Sequence, residues 1–451
     1  MMIRHVRGAR SITVKAALNY EDILSSKDRF EHNIASRKLP VNTSFDQLKE
    51  LRQTHKLLNG EIMELRRQRK FLAKQTHQTG NACAEAAKNL KKEISDRESS
   101  LNEIDASIQK ASMSLPNFMH PDVPLSNTEE GVVIATSLLN KFPQFEGFEP
   151  KDHQYLGDSL DILDFDSPRR TTGSKFVTFK NDGALLELAL AQWALQRVAM
   201  HGFSPRCTPD ISQVNVLEGC GFVPRGESSQ IFHVRSDSGD HKNKELCLVG
   251  TSEVTLAGSL AGEIISTSNL PLRLAGFGHC FRVEAGAAGK ASKGLYRLHQ
   301  FSKVEMFSFV HPDGSEKEHE LLRSIQESIC DELGLHWRTL NMAAHELGAS
   351  AYKKYDVQVY MPSRRDFGEV ASVSNCTDFQ SRRLGIKFKD ELNSPNGFVH
   401  TLNGTALAIP RIMLAILETH QQLDGSVKIP EPLWPFFLDG RRVIQPAKKS
   451  P

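Results

Sequence analysis

The chain has 451 residues, of which 39% are hydrophobic and 24% charged, a composition typical of a globular protein with two or three domains. Its formal net charge is only +2, so any surface for nucleic acid must be local. No run of about 18 apolar residues occurs, and we expect no membrane partner. The 7 cysteines stand singly without a Cys-x-x-Cys pair, which argues against a zinc knuckle or a disulfide framework and suits a reducing compartment.

The amino-terminal segment, residues 1–25, has the composition of a targeting leader. It contains Ser and Thr, and no acidic residue precedes Glu21. Its basic residues are Arg4, Arg7, Arg10 and Lys15. Such a leader is typical of an organellar transit peptide, and a disordered basic tail is the alternative.

Residues 44–112 contain the clearest helical pattern. Two series of mostly apolar residues recur every three or four positions, which predicts two amphipathic helices. They are Leu48, Leu51, His55, Leu58, Ile62, Leu65, Arg69 and Leu72, and then Ala87, Leu90, Ile94, Arg97, Leu101, Ile104, Ile108 and Ala111. The short connection near Gly80 predicts an antiparallel, coiled-coil hairpin, and Ser44 with Gln47 predicts a capping box at its start.

The first of these helices concentrates positive charge. Between Lys49 and Lys74 eight Lys or Arg stand against three Glu, and the string "RRQRK" at 66–70 holds half of these basic residues. A solvated face of a coiled coil and a surface that follows a phosphate backbone both explain this pattern, and both interpretations stay open at this point. A proline-containing linker, "SLPNFMHPDVPLSN", follows the hairpin, so we assign 26–125 to a helical arm and its linker.

From 126 to 440 short apolar segments alternate irregularly with helices, which predicts an α+β domain with antiparallel pairing. The strand candidates are 176–179, 245–249, 356–361 and 398–402. The helix candidates are 184–201, 316–334 and 407–422. The remaining residues, 441–451, are basic, and we expect them to form a flexible tail.

Residues 281–307 are predicted to form two strands joined by a Gly- and Ala-rich loop. Alternate residues of a strand share a face, so Phe301 and Glu305 lie on one side of the second strand, while Arg282 and Glu284 share a side of the first. Such charges usually form ion pairs on a solvated sheet face. The loop string "GAAGKASKG" matches neither the P-loop nor the Rossmann spacing, so its glycines indicate flexibility rather than a nucleotide loop.

Several strings in fixed order carry a resemblance to a known family. They are "TSE" (251–253), "FRVE" with "RLHQFSKVEMF", "FGEVASVSNCTDFQSRR" (367–383) and "NGTALAIPRIMLAILE" (403–418). With "CTPDIS", these strings resemble the class II aminoacyl-tRNA synthetases. "SNCTDFQSRR" and "QQLDGSVKIP" are similar to strings of the seryl-tRNA synthetases in particular, and the whole is most similar to their mitochondrial form. The resemblance covers about residues 40 to 440.

The resemblance implies an antiparallel β-sheet flanked by helices in a catalytic domain at 126–440, preceded by an antiparallel coiled-coil arm. It implies a homodimer built partly on the first class II motif, which ends at Pro209. The implied partners are ATP, L-serine and tRNA(Ser), without DNA, in the mitochondrial matrix. A synthetase-like protein that has lost catalysis and binds RNA is one alternative, and a class II enzyme for another amino acid such as threonine is a second.

Activation joins the serine carboxylate to the α-phosphate of ATP, and this meeting of two anions needs fixed positive charge and a metal ion. By resemblance Arg282 holds the α-phosphate, Arg411 meets the γ-phosphate, and both count with Glu305 as catalytic. Phe301 would stack on adenine and Glu284 would accept a hydrogen bond from its amine. The ATP-binding positions implied are Arg282, Val283, Glu284, Phe301, Glu369, Val370, Ala371, Ser372 and Arg411, of which Glu369 and Ser372 would also hold Mg²⁺.

A serine pocket must bind the hydroxyl, because hydrogen bonds to that group reject alanine better than volume alone. By resemblance the serine-binding residues are Thr251, Ser252, Glu253, Glu305, Asn403 and Thr405. In the family the arm of one subunit reaches tRNA on the other, which implies tRNA contacts at Arg66, Arg67, Arg69 and Lys70, although Arg69 falls on the apolar seam. Ala406 and Pro410 depart from the glycines of many members, and Pro410 fixes the backbone just before Arg411.

Overall fold

The computed structural model describes residues 17–38, 43–79, 81–126, 128–137, 142–222, 230–235, 245–284, 294–390, 396–437 and 439–447, and only the backbone of 74–79 and 81–84. The predicted connection at Gly80, most of the leader, most of the Gly- and Ala-rich loop and the last four residues lie outside these ranges. The chain divides into two compact units, 15–116 and 117–451, and each is described by itself.

The first unit is helical. Its helices are α1 (Tyr20–Ile23), α2 (Lys27–Arg37), α3 (Phe45–Thr79) and α4 (Asn81–Ser114). The Ser44 hydroxyl accepts a hydrogen bond from the Gln47 main-chain nitrogen at 3.1 Å, so Ser44 caps α3 as predicted. At the base of the two long helices a small apolar cluster contains Phe30, Phe45, Leu48, Ala111 and Leu115.

The two long helices form the predicted antiparallel hairpin. Side chains far apart in sequence pair across it: His55 with Asp105 at 3.2 Å, and Arg66 with Glu98 at 2.7 Å. Partners nearer the tip of α3 therefore meet residues nearer the start of α4. Because these pairs are largely exposed, each contributes little to the free energy of unfolding, and the buried seam that includes Ile62 contributes more.

The second unit contains one large sheet, several small sheets of short strands, and helices that pack against them. Its helices are α5 (His153–Ser159), α6 (Asp166–Thr171), α7 (Asp182–Ala199), α8 (Val214–Gly219), α9 (Glu253–Gly258), α10 (Ser315–Glu332), α11 (Phe379–Leu384) and α12 (Ile409–Thr419). Its strands are β1 (Gly131–Thr136), β2 (Leu163–Asp164), β3 (Thr178–Phe179), β4 (Ser204–Cys207), β5 (Ile211–Gln213), β6 (His233–Val234), β7 (Leu246–Leu248), β8 (Ile264–Ser266), β9 (Leu272–Phe281), β10 (Gln300–Val310), β11 (Trp337–Met342), β12 (Lys353–Met361), β13 (Asp366–Asn375), β14 (Lys387–Lys389), β15 (Gly397–Phe398), β16 (His400–Ala408), β17 (Val427–Lys428) and β18 (Val443–Ile444).

The large sheet has eight strands in the order β1-β11-β12-β13-β16-β10-β9-β4. Neighbouring strands pair antiparallel except β4 and β9 at one edge, which pair parallel. The main core contains Val304 and Met306 of β10 together with residues of α7, α10 and α12. The opposite face of β10 carries the polar residues Lys303 and Glu305 together with Phe307 and Phe309, which belong to a second apolar core. The predicted antiparallel sheet flanked by helices, with a helical region before it, is confirmed.

The sequence placed some element ends incorrectly. The helix predicted at 407–422 begins only at Ile409, because Leu407 and Ala408 continue β16 as buried strand residues. The strand predicted at 176–179 is limited to Thr178–Phe179. The first error arises because apolar residues fill a buried strand and a buried helix equally well.

Candidate active site

The polar face of the sheet follows from the alternation of β10. Phe301, Lys303 and Glu305 share one side of the strand, and the last two lie opposite Gly278 and Gly276 of β9. A Cβ atom at Gly276 would come within 2.8 Å of the Ser252 Cβ, and one at Gly278 within 3.1 Å of the Ser252 Oγ. These glycines therefore let the segment before α9 pack directly on the sheet.

A β-bulge brings Thr405 to Glu305. The pairing of β10 with β16 shifts between Val304, opposite Leu407, and Glu305, opposite Thr405. Ala406 is the extra residue, and without it Thr405 would lie out of register with Glu305. The Thr405 hydroxyl lies 3.4 Å from the Glu305 Oε2, so the two predicted serine-binding side chains meet on the polar face.

A second bulge, in β13, determines where the predicted Mg²⁺ ligands point. Residues three apart in a regular strand face opposite sides, so Glu369 and Ser372 should not lie together. Here Gln358 pairs with Glu369 while Asp356 pairs with Ser372, which leaves Val370 as the extra residue. Glu369 and Ser372 therefore share one face, whereas Val370 is buried.

Glu253, the first residue of α9, forms the buried centre of the predicted serine pocket. Its Oε1 accepts hydrogen bonds from Asn403 Nδ2 at 2.9 Å and from Gln380 Nε2 at 2.6 Å. Burial, together with the negative charge of Glu305, raises the pKa of Glu253 to about 7, although Gln380 and Lys303 act in the opposite direction. This carboxyl group can thus gain or lose its proton near neutral pH.

Lys303 joins this pocket, although the sequence analysis gave it no role. Its Nζ donates a hydrogen bond to Thr251 Oγ1 at 2.8 Å and forms an ion pair with Glu305. Lys303 and Glu305 are both almost fully buried. The signal was present in the sequence, since Lys303 lies two residues before Glu305 on the same strand face.

Ser252 does not join the same cluster. Its hydroxyl accepts a hydrogen bond from Thr208 Oγ1 at 3.1 Å, next to Pro209 in the first class II motif. Thr251 and Glu253 are thus tied to the pocket residues, whereas the residue between them ties α9 to another segment.

Arg282 and Glu284 lie just beyond the end of β9 and not within the strand. The Arg282 guanidinium lies over the Phe301 ring, 5.2 Å from its centre, and its Nε donates to the Gly250 carbonyl at 3.3 Å. Glu284 has a left-handed backbone (φ 48°) and forms an ion pair with Arg297 at 3.0 Å. The side chain of Glu284 is therefore already held by Arg297, a residue that the sequence analysis did not assign to the site.

The sequence analysis assigned Val283 and Ala371 to the ATP site, and both have apolar side chains. The Val283 main-chain nitrogen donates to the Gln230 carbonyl at 3.2 Å. Ala371 is a buried residue of β13. Neither side chain carries a group that could bind a phosphate.

Arg411 lies in the first turn of α12 and contacts Glu369. Its Nη1 donates to the Glu369 carbonyl at 3.0 Å and lies 3.3 Å from the Glu369 carboxylate. Burial opposes the charge of Glu369, but Arg411, Lys354 and Arg282 outweigh it and hold the pKa of this carboxyl group well below its usual range. Glu369 therefore stays ionised at neutral pH and can offer hard oxygen to a cation.

The donors on this face fit Mg²⁺ that also binds phosphate oxygens. Glu369 offers a carboxylate and Ser372 a hydroxyl on the same side of β13, both of the oxygen type that Mg²⁺ prefers. Among the residues that the structure describes, no group of three or more His, Cys, Asp or Glu could hold a metal by itself. The set is thus suited to a cation shared with a nucleotide.

The predicted tRNA-binding residues lie in the other unit, on α3. Arg66, Arg67, Arg69 and Lys70 are all exposed, so Arg69 is not buried in the apolar seam. Arg66 pairs with Glu98, and Arg67 lies 3.6 Å from Glu64. Because these pairs are exposed, an incoming phosphate can compete for both arginines at little cost.

No helix in the described ranges combines the length and apolar character needed to cross a membrane.

Comparisons with known proteins agree with a helical first unit and a class II core in the second. Residues 18–119 match the family "Seryl-tRNA synthetase N-terminal domain", and residues 232–420 match "tRNA synthetase class II core domain (G, H, P, S and T)". The serine–tRNA ligase of Rubrobacter xylanophilus is 43% identical over 91% of this chain and 95% of its own length. That of Treponema denticola is 40% identical over 93% of this chain and 98% of its own length.

A solved structure shows the same fold. The crystal structure of seryl-tRNA synthetase from Pyrococcus horikoshii complexed with ATP superposes with a TM-score of 0.85 at 31% identity and covers 96% of this chain and 100% of that one. The cytoplasmic serine–tRNA ligase of Naegleria fowleri, at 23% identity and a TM-score of 0.81, supports the fold alone. The chain belongs to the seryl-tRNA synthetase family of class II aminoacyl-tRNA synthetases.

Proposed function

We propose that this chain activates L-serine with ATP to seryl-adenylate and transfers the seryl group to tRNA(Ser), as a homodimer in the mitochondrial matrix. The observation that carries the proposal is the buried polar cluster of Thr251, Glu253, Lys303, Glu305 and Asn403 on one sheet face beside Arg282. Relatives named serine–tRNA ligases match the chain almost from end to end.

The cluster suits serine in size and in chemistry. The Glu253 and Glu305 carboxylates can accept from an ammonium group and a hydroxyl group, and Thr405 adds a second hydroxyl partner next to Glu305. Alanine would leave these buried acceptors unpaired, and that loss is the main source of discrimination. Lys303 neutralises Glu305, so the ionised form of Glu253 supplies the negative charge that meets the ammonium of the substrate.

In the first step an oxygen of the serine carboxylate attacks the α-phosphorus of ATP. A P–O bond to serine forms while the bond to pyrophosphate breaks, and negative charge grows on the phosphates. Arg282, beside Phe301, is placed to hold the α-phosphate, and Arg411 is placed to hold the departing pyrophosphate. Mg²⁺ held by Glu369 and Ser372 would supply further positive charge to the phosphate oxygens.

In the second step a ribose hydroxyl at the 3′ end of the tRNA attacks the carbonyl carbon of seryl-adenylate, and AMP leaves. The exposed basic residues of α3 support a role in holding the tRNA, since they can release counterions from an RNA backbone.

The dimer and the location rest on different features. Exposed apolar side chains on or next to α7, namely Leu185, Leu188 and Met200, support a partner at that surface. The mitochondrial location rests on the basic leader, and the two relatives at 43% and 40% identity, from Rubrobacter xylanophilus and Treponema denticola, are bacterial. Import of a leader fusion into isolated mitochondria, against a fusion without residues 1–25, would test the location.

The inactive paralogue is less consistent with the site, because each residue assigned to ATP and serine is present and the buried ones are mutually bonded. The test is ATP–pyrophosphate exchange with serine, threonine and alanine on purified protein that lacks the leader. Exchange with serine alone is the expected result. A folded dimer that binds tRNA but exchanges with none of the three amino acids would establish the paralogue instead.

A further inference from the structure

A buried histidine–glutamate pair lies near the end of α12, the helix that carries Arg411 in its first turn. His153 is the first residue of α5, and Glu418 is in the last turn of α12, two helical turns beyond Arg411. Their side chains are only 10% and 2% exposed. The His153 Nδ1 and the His153 main-chain nitrogen each lie 3.2 Å from Glu418 Oε1. Nothing in the proposed reaction uses this pair.

The hydrogen-bond partners of the pair indicate which ring nitrogen of His153 donates, and they connect the pair to other elements. The Leu295 main-chain nitrogen donates to His153 Nε2 at 3.2 Å, so this ring nitrogen is an acceptor and Nδ1 carries the proton that is donated to Glu418. The second oxygen, Glu418 Oε2, accepts from the Ser363 main-chain nitrogen at 3.1 Å. The pair thus connects α5 and α12 to two turns, at 294–296 and at 361–365.

Each of these turns supplies a neighbour of Arg411. Tyr296 follows Leu295, and its carbonyl accepts from Arg411 Nε at 3.3 Å while its ring centre lies 4.6 Å from the Arg411 guanidinium. Arg364 follows Ser363, and its guanidinium lies 4.8 Å from the centre of the same ring. Tyr296 is therefore the surface against which Arg411 is held.

Two glycines show how closely these parts are fitted. Gly294 has φ 62°, and a Cβ there would collide with His153 Nε2. A Cβ at Gly368 would lie 2.6 Å from Arg364 Nη2 and 3.0 Å from Tyr296 Cε2. A shift of His153 would consequently move the turn that carries Tyr296.

We propose that His153 and Glu418 are positioning residues for Arg411, which hold Tyr296 where it aims the guanidinium at the terminal phosphates of ATP. Neither side chain would contact a substrate. The inference rests on the proposed function in one respect, the role of Arg411 at the terminal phosphates. A general stabilising role of His153 and Glu418 would affect the binding of every ligand, whereas the positioning role affects only ligands that carry the terminal phosphates.

The experiment compares ATP with AMP, which lacks the terminal phosphates. Dissociation constants for both nucleotides are measured with Mg²⁺ by titration calorimetry on the full chain without the leader. His153→Asn keeps a donor toward Glu418 but loses the acceptor for Leu295, whereas the longer His153→Gln can place an oxygen near the position of the ring Nε2. His336→Asn is the matched control, because His336 is a buried histidine that bonds Ser137 at 2.7 Å instead.

We expect His153→Asn to weaken ATP binding on the order of tenfold and AMP binding by less than about twofold, as for a small displacement of a positioned group. His153→Gln should recover most of the loss, Arg411→Lys should reproduce it, and His336→Asn should leave the ratio unchanged. Equal losses for ATP and AMP, or equal effects of Asn and Gln at 153, would overturn the proposal. If His153→Asn does not fold, Glu418→Gln provides the same comparison.

The binding measurement needs no serine, so it separates this inference from the proposed function. A wild-type chain that prefers ATP to AMP but shows no exchange with serine would overturn the proposed function and leave the positioning role in place. A wild-type chain that binds both nucleotides equally would overturn the positioning role.

Discussion

The ammonium group of Lys303 donates to the Thr251 hydroxyl at 2.8 Å and at the same time pairs with the carboxylate of Glu305. One buried cation thus links β10 to the segment that precedes α9, the two parts of the chain that supply most of the proposed serine pocket. A buried ion pair of this kind contributes little net stability compared with apolar residues, but it fixes the geometry of its partners.

We expect Lys303→Met to damage the serine pocket more than the ATP site. Removing the ammonium leaves Glu305 buried without its counter-ion, which should lower the free energy of unfolding by about 3–5 kcal/mol. The KM for serine should rise by at least about tenfold in the exchange reaction while the KM for ATP changes little. Exchange kinetics and a urea titration check this, and an unchanged KM for serine would show that Lys303 is only part of the core.

Serine binding should strengthen as pH rises through neutrality. Because the pKa of Glu253 is raised to about 7, the carboxyl group is neutral below that pH and charged above it, and the serine ammonium prefers the charged form. We expect the KM for serine to fall between about pH 6 and pH 8. In Glu253→Gln the KM should be high and independent of pH over this interval. A wild-type KM that does not vary with pH would contradict this assignment.

The raised pKa of Glu253 should also make the substrate-free protein less stable as pH rises, whereas serine binding strengthens. The folded state keeps its proton on Glu253 at pH values where the unfolded state has lost it, above the ordinary value of 4.5. The contribution to stability is therefore complete below about pH 4.5 and is lost as pH rises through about 7. We expect the Tm of the wild type to fall relative to that of Glu253→Gln over this interval, as measured by calorimetry.

The sequence predicted the site where alternation along one strand was enough. Phe301 and Glu305 share a face of β10 as expected, and the polar residues of 251–253 and 403–405 follow from the family strings. The sequence could not show why Glu369 and Ser372 face the same way, since their spacing in a regular strand would separate them. Only the bulge at Val370 brings them together, and no local composition marks its place.

Long-range contacts account for the rest of what was missed. His153 and Glu418 are 265 residues apart, and neither belongs to a string that suggests chemistry. Lys303 was visible on the correct strand face but is typical of a solvated surface until its burial is known. The helix at 407–422 was begun too early because a buried strand and a buried helix use the same apolar residues.

Loss of the carboxylate at 369 should change the requirement for Mg²⁺. We expect Glu369→Gln to raise the Mg²⁺ concentration for half-maximal exchange several-fold, because the amide is a weaker ligand for a hard cation. Arg411 would also lose its ionic partner, so Ser372→Ala serves as a second variant that leaves the Arg411 contact intact. A Mg²⁺ requirement that is unchanged in both variants would contradict the proposed ligand pair.

Substitutions in the two units should affect different steps of the reaction. Arg282→Ala removes the guanidinium beside Phe301 and should abolish adenylate formation, measured as ATP–pyrophosphate exchange. The arm variant replaces Arg66, Arg67, Arg69 and Lys70 by glutamine. It should leave exchange unchanged, because these exposed side chains belong to the helical unit. In the arm variant tRNA binding should weaken, and its salt dependence should become less steep by about one unit of slope for each lost phosphate contact. Exchange impaired equally by both changes would contradict this division between the units, and unchanged tRNA binding in the arm variant would contradict the role of the basic cluster.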